Sequence, residues 1–132
     1  MNTDLNGKVV LVTGGAGGIG SVISKSFAGQ GATVIVHYNS SKDNAEKIAN
    51  EIGGVAMNAD LTDSTQSKEL FNKIIEKQGK IDVCIANAGN YPKEFAPLWE
   101  IESDRWENTV STNLSLTYNT ARDFLKLSLI HI

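Results

Sequence analysis

Cysteine is scarce in this sequence, since Cys84 is the single one among 132 residues. One thiol cannot form a disulfide within the chain, so the small secreted folds that depend on several disulfides are excluded. A reducing compartment, the cytoplasm, is the expected location. Cys84 lies in the apolar run IDVCIA, where we interpret it as a small buried hydrophobic residue.

Long hydrophobic runs are lacking as well. No apolar stretch of the sequence reaches the roughly 18 residues that a membrane-spanning helix needs, and the N-terminal segment MNTDLNGK has no hydrophobic region typical of a secretion signal. The net charge is only −3, so neither a nucleic acid nor a membrane surface is expected as a partner. The length suits a single domain.

Apolar β-branched runs alternate with amphipathic segments along the chain, and they predict strands buried on both faces and helices, respectively. The predicted strands are KVVLVT (8–13), ATVIVHY (32–38), GVAMNAD (54–60) and IDVCIANAG (81–89). A helix is predicted after each of them, the last three at 40–54, 62–79 and 102–126. This order predicts an α/β fold with a doubly wound parallel sheet.

Two of the predicted helices carry apolar stripes that should face the core. The first helix, which Gly29 and Gly31 should end, has the stripe Ile19, Val22, Ile23 and Phe27. The last helix has the stripe Trp106, Val110, Leu114, Thr117 and Ala121. The loop YPKEFAPLW (91–99) follows the fourth strand, so we expect it at the carboxyl edge of the sheet, where ligands bind in such folds.

The glycine-rich stretch TGGAGGIG (13–20) joins the first strand to the first helix. Glycines allow a tight turn and a close approach of the backbone to a ligand, and the free amides at the start of a helix suit a pyrophosphate. The sequence therefore predicts a phosphate site in this loop, although a purely structural turn is the alternative. The candidate residues are Gly14, Gly15, Ala16, Gly18, Ile19 and Gly20.

Further motifs accompany this loop in a characteristic order. The glycine spacing is G-x-x-x-G-x-G, Asp60 follows the third strand, ANAG (86–89) follows the fourth, and Asn113 comes seven residues after Trp106. In these features the chain resembles the short-chain dehydrogenase/reductase family from Lys8 to about Leu125. The resemblance implies a Rossmann-type fold with strand order 3-2-1-4-5-6-7.

The resemblance also implies site residues. It assigns Asp60 and the following Leu61 to the adenine end of a dinucleotide, Asn87, Ala88 and Gly89 to the cofactor pocket, and Asn113 to the catalytic tetrad. Each assignment has a structural alternative. Asp60 could cap the next segment, Asn87 could hold its own turn, and Asn113 could be an ordinary helix residue.

The end of the second strand bears on the choice of cofactor. Family members that prefer NAD usually carry an acidic residue there, whereas this chain has Tyr38, followed by Asn39. The next residues, Ser40, Ser41 and Lys42, offer two hydroxyls and a cation to a phosphate. NADP is therefore the expected cofactor, with NAD possible; as the alternative, Ser41 caps a helix and Lys42 is solvated.

The segment YNSSK (38–42) has the Tyr-x-x-x-Lys spacing of the family's proton-donating pair. It follows the second strand, at the adenosine side, so it cannot be that pair. Tyr91 is followed four residues later by Phe95, and Tyr118 by Arg122. The family's Ser and Tyr-x-x-x-Lys positions are therefore not matched, and the chain alone is expected to be inactive.

We interpret residues 1–126 as the N-terminal, dinucleotide-binding part of one Rossmann domain. The last six residues, LSLIHI (127–132), resemble a translated sequencing adapter, which suggests a non-native tail; a genuine apolar tail is the alternative. The full enzyme would transfer a hydride between NADP(H) and a carbonyl or alcohol, as 3-oxoacyl-carrier-protein reductases and sugar or alcohol dehydrogenases do. A non-catalytic dinucleotide sensor and an oligomerising interaction module are the other readings, and a homo-oligomer is expected for the full-length protein.

Overall fold

The computed structural model describes residues 3–130 as strands alternating with helices. In chain order the elements are β1 (Val9–Val12), α1 (Gly18–Gly29), β2 (Thr33–Tyr38), α2 (Lys42–Ile52), β3 (Val55–Asn58), α3 (Ser64–Gln78), β4 (Val83–Ile85), a 3-10 turn (Leu98–Glu100) and α4 (Ser103–Ile130). The strands are shorter than the apolar runs that predicted them, because the ends of each run leave the sheet and enter the adjoining turns.

The four strands form one parallel sheet in the order β3-β2-β1-β4. Val10 of β1 aligns with Val34 of β2 on one side and with Val83 of β4 on the other. The chain winds from β1 towards β3 and then returns to the opposite side of β1 to form β4. The order therefore reverses between β1 and β4, as the family resemblance implied, and such a reversal opens a crevice at the carboxyl ends of the strands.

Both faces of the sheet are covered, which explains why β1 is apolar without interruption. On one face Leu11 and Ile35 pack with Phe71 and Ile74 of α3. On the other face, the residues that alternate with these along β1 and β2 pack against α1 and α2. The two cores fix the strand ends relative to the helices, and so they fix the edge of the sheet at which the candidate site lies.

Helix α3 lies within the predicted range 62–79, and both of its ends are capped. Asp63 accepts hydrogen bonds from the backbone amides of Thr65 (2.7 Å) and Gln66 (3.2 Å). These bonds lower the pKa of the Asp63 carboxyl, the one from Gln66 most strongly. Gly79 ends the helix with a φ of 79°, a left-handed conformation that glycine adopts readily.

The buried face of α1 differs from the predicted stripe. Ile23 and Phe27 pack against the core as expected, but Ile19 is 73% exposed and Val22 is also exposed. Small residues replace them in the interface, where Gly20 and Ser24 are buried. The prediction failed for half of the stripe because α1 lies so close to the glycine turn that its first buried positions have no room for a large side chain.

The buried face of α4 also differs from the predicted stripe. Leu114 is 65% exposed, and Trp106, Thr117 and Ala121 are exposed too, with only Val110 half-buried. The face towards α3 instead carries a mixed set of side chains, namely Leu116, Asn119, Thr120, Asp123, Phe124 and Leu127. Polar side chains occupy this interface because each has a partner there: the Asn119 amide donates to the Leu61 carbonyl (2.8 Å).

Helix α4 continues to Ile130, beyond Lys126, where the sequence pattern predicted its end. Residues 127–130 of the segment interpreted as a non-native tail are therefore helical, and Leu127 packs against the core. His131 and Ile132, the rest of that segment, lie outside the described residues. Within residues 3–130, no helix has the combination of length and apolar character that crossing a bilayer requires.

Candidate functional site

The glycine loop turns sharply after β1, and the first turn of α1 packs against Gly14 at the beginning of that loop. Gly14 has a φ of 62°, in the left-handed region that suits glycine. A Cβ on Gly20 would lie 2.0 Å from the Gly14 carbonyl oxygen, so only glycine fits where the helix crosses the turn. Gly17 precedes the helix without a side-chain cap. The first amides of α1 therefore have no intrahelical acceptor, and they carry the positive end of the helix dipole.

A hydrogen-bonded clamp ties this loop to the turn after β4. The Thr13 hydroxyl donates to the Ile85 carbonyl (3.2 Å) and accepts from the amides of Asn87 (2.9 Å) and Ala88 (3.0 Å). The Asn87 side-chain amide donates to the Thr13 carbonyl at 3.0 Å. The turn ANAG is thus locked against the glycine loop across the strand reversal, and Asn87 acts at least as the turn-holding residue that sequence reasoning offered as its alternative.

A hollow of about 700 Å³ opens at this edge of the sheet, between the carboxyl ends of β1, β2 and β4. Most of the sequence-predicted cofactor residues line it: Gly14, Ala16, Gly18, Ile19, Gly20, Tyr38, Asn39, Ser40, Ser41, Asn87, Ala88 and Gly89. The proposed catalytic residue Asn113 lines its far end. The structure therefore brings the glycine loop, the end of β2 and the ANAG turn together around one cavity.

Asn113 connects α4 to the end of the ANAG turn. Its side-chain oxygen accepts from the Asn90 amide, and its side-chain amide donates to the Asn90 carbonyl, both at 2.9 Å. The same side-chain amide also donates to the Thr109 carbonyl one turn earlier in the helix (2.8 Å). This pairing uses both ends of the Asn113 side chain, so the residue holds the loop after β4 on the wall of the hollow.

The walls of the hollow are neutral. None of the residues that line it, all of which lie in the described part of the chain, carries a charged side chain. Among residues 3–130 there is also no group of three or more His, Cys, Asp or Glu side chains that could hold a metal ion. The α1 dipole and the free backbone amides are therefore the chief electrostatic features that the hollow presents to an anionic ligand.

Comparison with known proteins decides the family. Over residues 8–130 the chain matches the sequence profile described as short chain dehydrogenase. This chain belongs to the short-chain dehydrogenase family. The resemblance seen in the sequence motifs is therefore confirmed, together with the Rossmann-type parallel sheet.

The relatives of this short-chain dehydrogenase include reductases and proteins named only by family. It is 36% identical over 123 residues to a 3-oxoacyl-[acyl-carrier-protein] reductase of Thermotoga maritima, covering 89% of this chain and 49% of that protein. It is 36% identical over 115 residues to an uncharacterized oxidoreductase of Methylorubrum extorquens, covering 83% and 46%. The chain thus spans about half the length of the curated relatives it matches.

A solved structure supports the same fold. The crystal structure of a short chain dehydrogenase from Burkholderia cenocepacia in complex with NADP superimposes with a TM-score of 0.83 at 27% sequence identity. The match covers 93% of this chain and 51% of the other. The four-stranded sheet and its helices therefore correspond to about half of that chain.

Four of the predicted cofactor residues lie outside the hollow of this short-chain dehydrogenase. Gly15 is buried on the inner side of the glycine loop, and Leu61 is buried in the core. Lys42 faces Glu46 one turn along α2, with 3.7 Å between the charged atoms. Asp60 accepts from the amide (2.9 Å) and the hydroxyl of Thr62, as a turn-capping residue does. Their cofactor roles stay predictions.

Sequence reasoning also missed residues of the site. Gly17, Asn90, Tyr91 and Thr109 line the hollow, although none of them was named as a site residue. Gly17 lies within the glycine-rich stretch, and Tyr91 begins the loop that was expected at this edge of the sheet. The most informative omission is His37, which is buried behind the glycine loop and contacts it through both its side chain and its carbonyl. The available signal was a histidine within an otherwise apolar strand run, where a polar side chain has to find buried partners.

Proposed function

We propose that this chain is the dinucleotide-binding part of an NAD(P)-dependent oxidoreductase, in which the complete enzyme transfers a hydride between NADP(H) and a carbonyl or alcohol substrate. The observation that carries the proposal is the free start of α1, which opens into a neutral hollow at the strand reversal. A Cβ on Gly18 would meet no atom within 4 Å, so this first residue of α1 leaves space beside the free amides. A pyrophosphate fits that cradle.

The dinucleotide would extend from the glycine loop in two directions. The turn after β2, from Tyr38 to Ser41, would hold the adenosine half, and the ANAG turn with Asn113 would border the nicotinamide half. When bound, the dinucleotide supplies or accepts the hydride, while the residues of this chain bind and orient it. A 3-oxoacyl-[acyl-carrier-protein] reductase among the relatives supports a carbonyl-reducing role.

NADP is the proposed cofactor in preference to NAD. No acidic residue ends β2, and Ser40 and Ser41 line the hollow, where their hydroxyls could bind a 2′-phosphate. One relative of known structure is a complex with NADP, which supports this choice. Since the wall has no cation of its own, the preference over NAD should be modest.

This chain alone should bind the dinucleotide without catalysing turnover. Its one Tyr-x-x-x-Lys segment, Tyr38 to Lys42, lies at the adenosine end, and Lys42 is paired with Glu46. No other tyrosine in the sequence is followed by lysine four residues later. A proton donor beside the carbonyl is therefore lacking, and an unassisted tyrosine, with a pKa near 10, would be a poor one.

The exposed apolar side of α4 supports a homo-oligomer of the full-length protein. Trp106 and Leu114 lie on this side, and both are more than half exposed. Burial of such side chains against a second copy would be favourable. The cytoplasm remains the proposed compartment, since a lone thiol needs no oxidising environment.

The experiment that tests the proposal introduces the missing acid at the end of β2. Asn39 is exposed, and Asn39→Asp adds a carboxylate without changing the shape of the side chain. Isothermal titration calorimetry should show that Asn39→Asp binds NADP about tenfold more weakly than the wild type, because the carboxylate repels the 2′-phosphate, and that it binds NAD equally well or better. Asn72→Asp, at an exposed position of α3, makes the same change in net charge away from the hollow and is the control. Absence of any NADP or NAD binding to the folded wild type would refute the proposal.

A further inference from the structure

His37 is a polar side chain enclosed at the heart of the candidate site. It is the penultimate residue of β2, and it is only 2% exposed. Its ring lies on the sheet face of Ile35, between the glycine loop that follows β1 and the segment that follows β3. A buried imidazole in a run of β-branched residues costs free energy unless both nitrogens are bonded, so its partners define its role.

Both ring nitrogens are bonded, and the partners leave one protonation state. The Gly14 amide donates to Nδ1 at 3.0 Å, so Nδ1 must carry a lone pair. Nε2 lies 2.9 Å from the Ala59 carbonyl, which can only accept, so Nε2 must carry the proton. The imidazole is thereby fixed as the neutral Nε2–H tautomer.

The contacts of this residue join three strand ends. The His37 side chain accepts a hydrogen bond from the Gly14 amide, and the His37 backbone carbonyl accepts one from the Gly15 amide at 3.0 Å. Ala59, on the far side of the ring, follows β3 directly. Two successive amides of the glycine loop are therefore positioned by one residue, which is itself anchored to β3.

We propose that His37 is a positioning residue of the dinucleotide site, whose neutral imidazole holds the Gly14 amide and keeps the glycine loop in its binding geometry. This inference rests on the proposed function. A proton added to Nδ1 would point at the Gly14 N–H, so the bond that holds the loop cannot survive in the imidazolium form. Acidification should therefore release the loop and weaken dinucleotide binding.

The surroundings favour the neutral ring. Burial lowers the pKa of His37 from its ordinary value of about 6.5, although the bond to Ala59 opposes the shift. The glycine loop contributes no charge. The titratable groups on the strands and helices of this face include Cys84 of β4, Asp60 after β3, Asp63 and Lys68 at the start of α3, and the pair Arg122 and Asp123 of α4.

None of these groups provides a carboxylate bonded to the ring. Asp60 is bonded to Thr62, Asp63 caps α3, and Asp123 is bonded to Arg122. The folded-state pKa of His37 therefore lies below the unfolded-state value. The stability that the neutral ring contributes is complete above about pH 6.5, and it is lost as the pH falls through the folded-state pKa.

Two uncharged variants separate the two bonds of the ring. In His37→Asn, the side-chain oxygen can occupy the position of Nδ1 and accept from Gly14. In His37→Gln, the side-chain amide can reach the position of Nε2 and donate to Ala59, but Gly14 loses its acceptor. Affinity is measured with NAD, because a phosphate monoester such as the 2′-phosphate of NADP itself titrates near pH 6.

At pH 8, His37→Asn should bind NAD within about threefold of the wild type, whereas His37→Gln should bind about tenfold more weakly because its loop is less often in the binding geometry. Wild-type affinity should decline as the pH falls through the folded-state pKa of His37, which lies below 6.5, and neither variant should show this decline. Wild-type affinity in His37→Gln, or an unchanged pH profile in His37→Asn, would overturn the proposal.

A measurement that needs no dinucleotide distinguishes the failure of the His37 proposal from the failure of the proposed function. Because it is made on a protein that keeps His37, it remains possible if a His37 variant fails to fold. The chain has two histidines, so in His131→Ala the ¹⁵N spectrum of the imidazoles reports His37 alone. At pH 7 it should show an unprotonated Nδ1 coupled to the Gly14 amide, and both signals should change together on acidification. A protonated Nδ1 would overturn the inference. Absence of NAD and NADP binding with the expected imidazole spectrum would instead refute the proposed function.

Discussion

Replacing Gly20 by alanine tests the geometry of the glycine loop most severely. The added Cβ would lie 2.0 Å from the Gly14 carbonyl oxygen, 2.8 Å from its carbonyl carbon and 2.9 Å from the Asn87 side-chain nitrogen. Ordinary contacts between such atoms are about 3.5 Å. Because the nearest atoms are backbone, the turn itself has to move by more than an ångström.

The free-energy cost follows from what that movement breaks. Overpacking costs about 1–3 kcal/mol, and the bonds of Gly14 to His37 and Asn87 contribute about 1 kcal/mol each. The higher helix propensity of alanine returns up to about 1 kcal/mol. We therefore expect the free energy of unfolding of Gly20→Ala to fall by about 2–4 kcal/mol, measured by urea denaturation followed by circular dichroism.

Two other glycines of α1 provide matched controls. A Cβ on Gly18 or Gly29 would meet nothing within 4 Å, so both alanine variants should be as stable as the wild type or more stable by up to about 1 kcal/mol. Gly18→Ala should nevertheless weaken NADP binding, because its methyl group occupies the space beside the free amides, while Gly29→Ala should not. Equal stability of the Gly20 and Gly29 variants would refute the close crossing of α1 over the turn.

Two further predictions concern the half-buried Cys84 and the buried Asp123, both away from the hollow. Burial raises the pKa of the Cys84 thiol to about 12, so at pH 8 iodoacetamide should label it far more slowly in the folded protein than in urea; equal rates would contradict its position in β4. Asp123, 4% exposed, accepts from Ser67 (2.7 Å) and Arg122 (2.8 Å), so Asp123→Ala should lower the unfolding free energy by about 3 kcal/mol and Ser67→Ala by about 1 kcal/mol. Burial acts to raise the pKa of Asp123, but the bonds to Arg122 and Ser67 lower it overall. The stability that the charged carboxylate contributes is therefore present above about pH 4 and is lost on acidification. If the stability of Asp123→Asn changes between pH 3 and 6 in parallel with that of the wild type, this pairing is contradicted.

The sheet could be predicted from the sequence because its signals are local. The continuous apolar run of β1, the glycine turn after it and the caps of α3 at Asp63 and Gly79 each depend on neighbouring residues only. The alternation of such segments then restricts the topology to a few parallel arrangements. The strand order among these arrangements was implied by the resemblance to the short-chain dehydrogenase/reductase family, and the location of the hollow followed from that order.

The faces of the helices could not be predicted in the same way. Hydrophobic periodicity indicates that a helix has an apolar side, but it does not say which neighbour is available to cover that side. In α4 the covered side includes Asn119 and Asp123, whose partners Leu61 and Ser67 are more than 50 residues away in the sequence. In α1 the close approach to Gly14 excluded Ile19 from the interface.

The site shows the same division between local and long-range information. Glycine spacing located the loop, since the turn requires glycine at Gly14, for its left-handed φ, and at Gly20, where a side chain would meet the Gly14 carbonyl. The bonds of His37 to Gly14 and Ala59 span 23 and 22 residues, and no local pattern announces them. Asp60 was assigned by resemblance, whereas its carboxylate is bonded to the neighbouring Thr62 in this structure.

The central claim is that the start of α1 binds the pyrophosphate of a dinucleotide. It is tested most directly by titrating NADP into the ¹⁵N-labelled protein and following the backbone amides of residues 14–20. The account predicts large, saturable shifts of these amides and of Asn87 and Asn113, with α3 unaffected. Amides of the glycine loop that stay unmoved in a folded sample at millimolar NADP would contradict it.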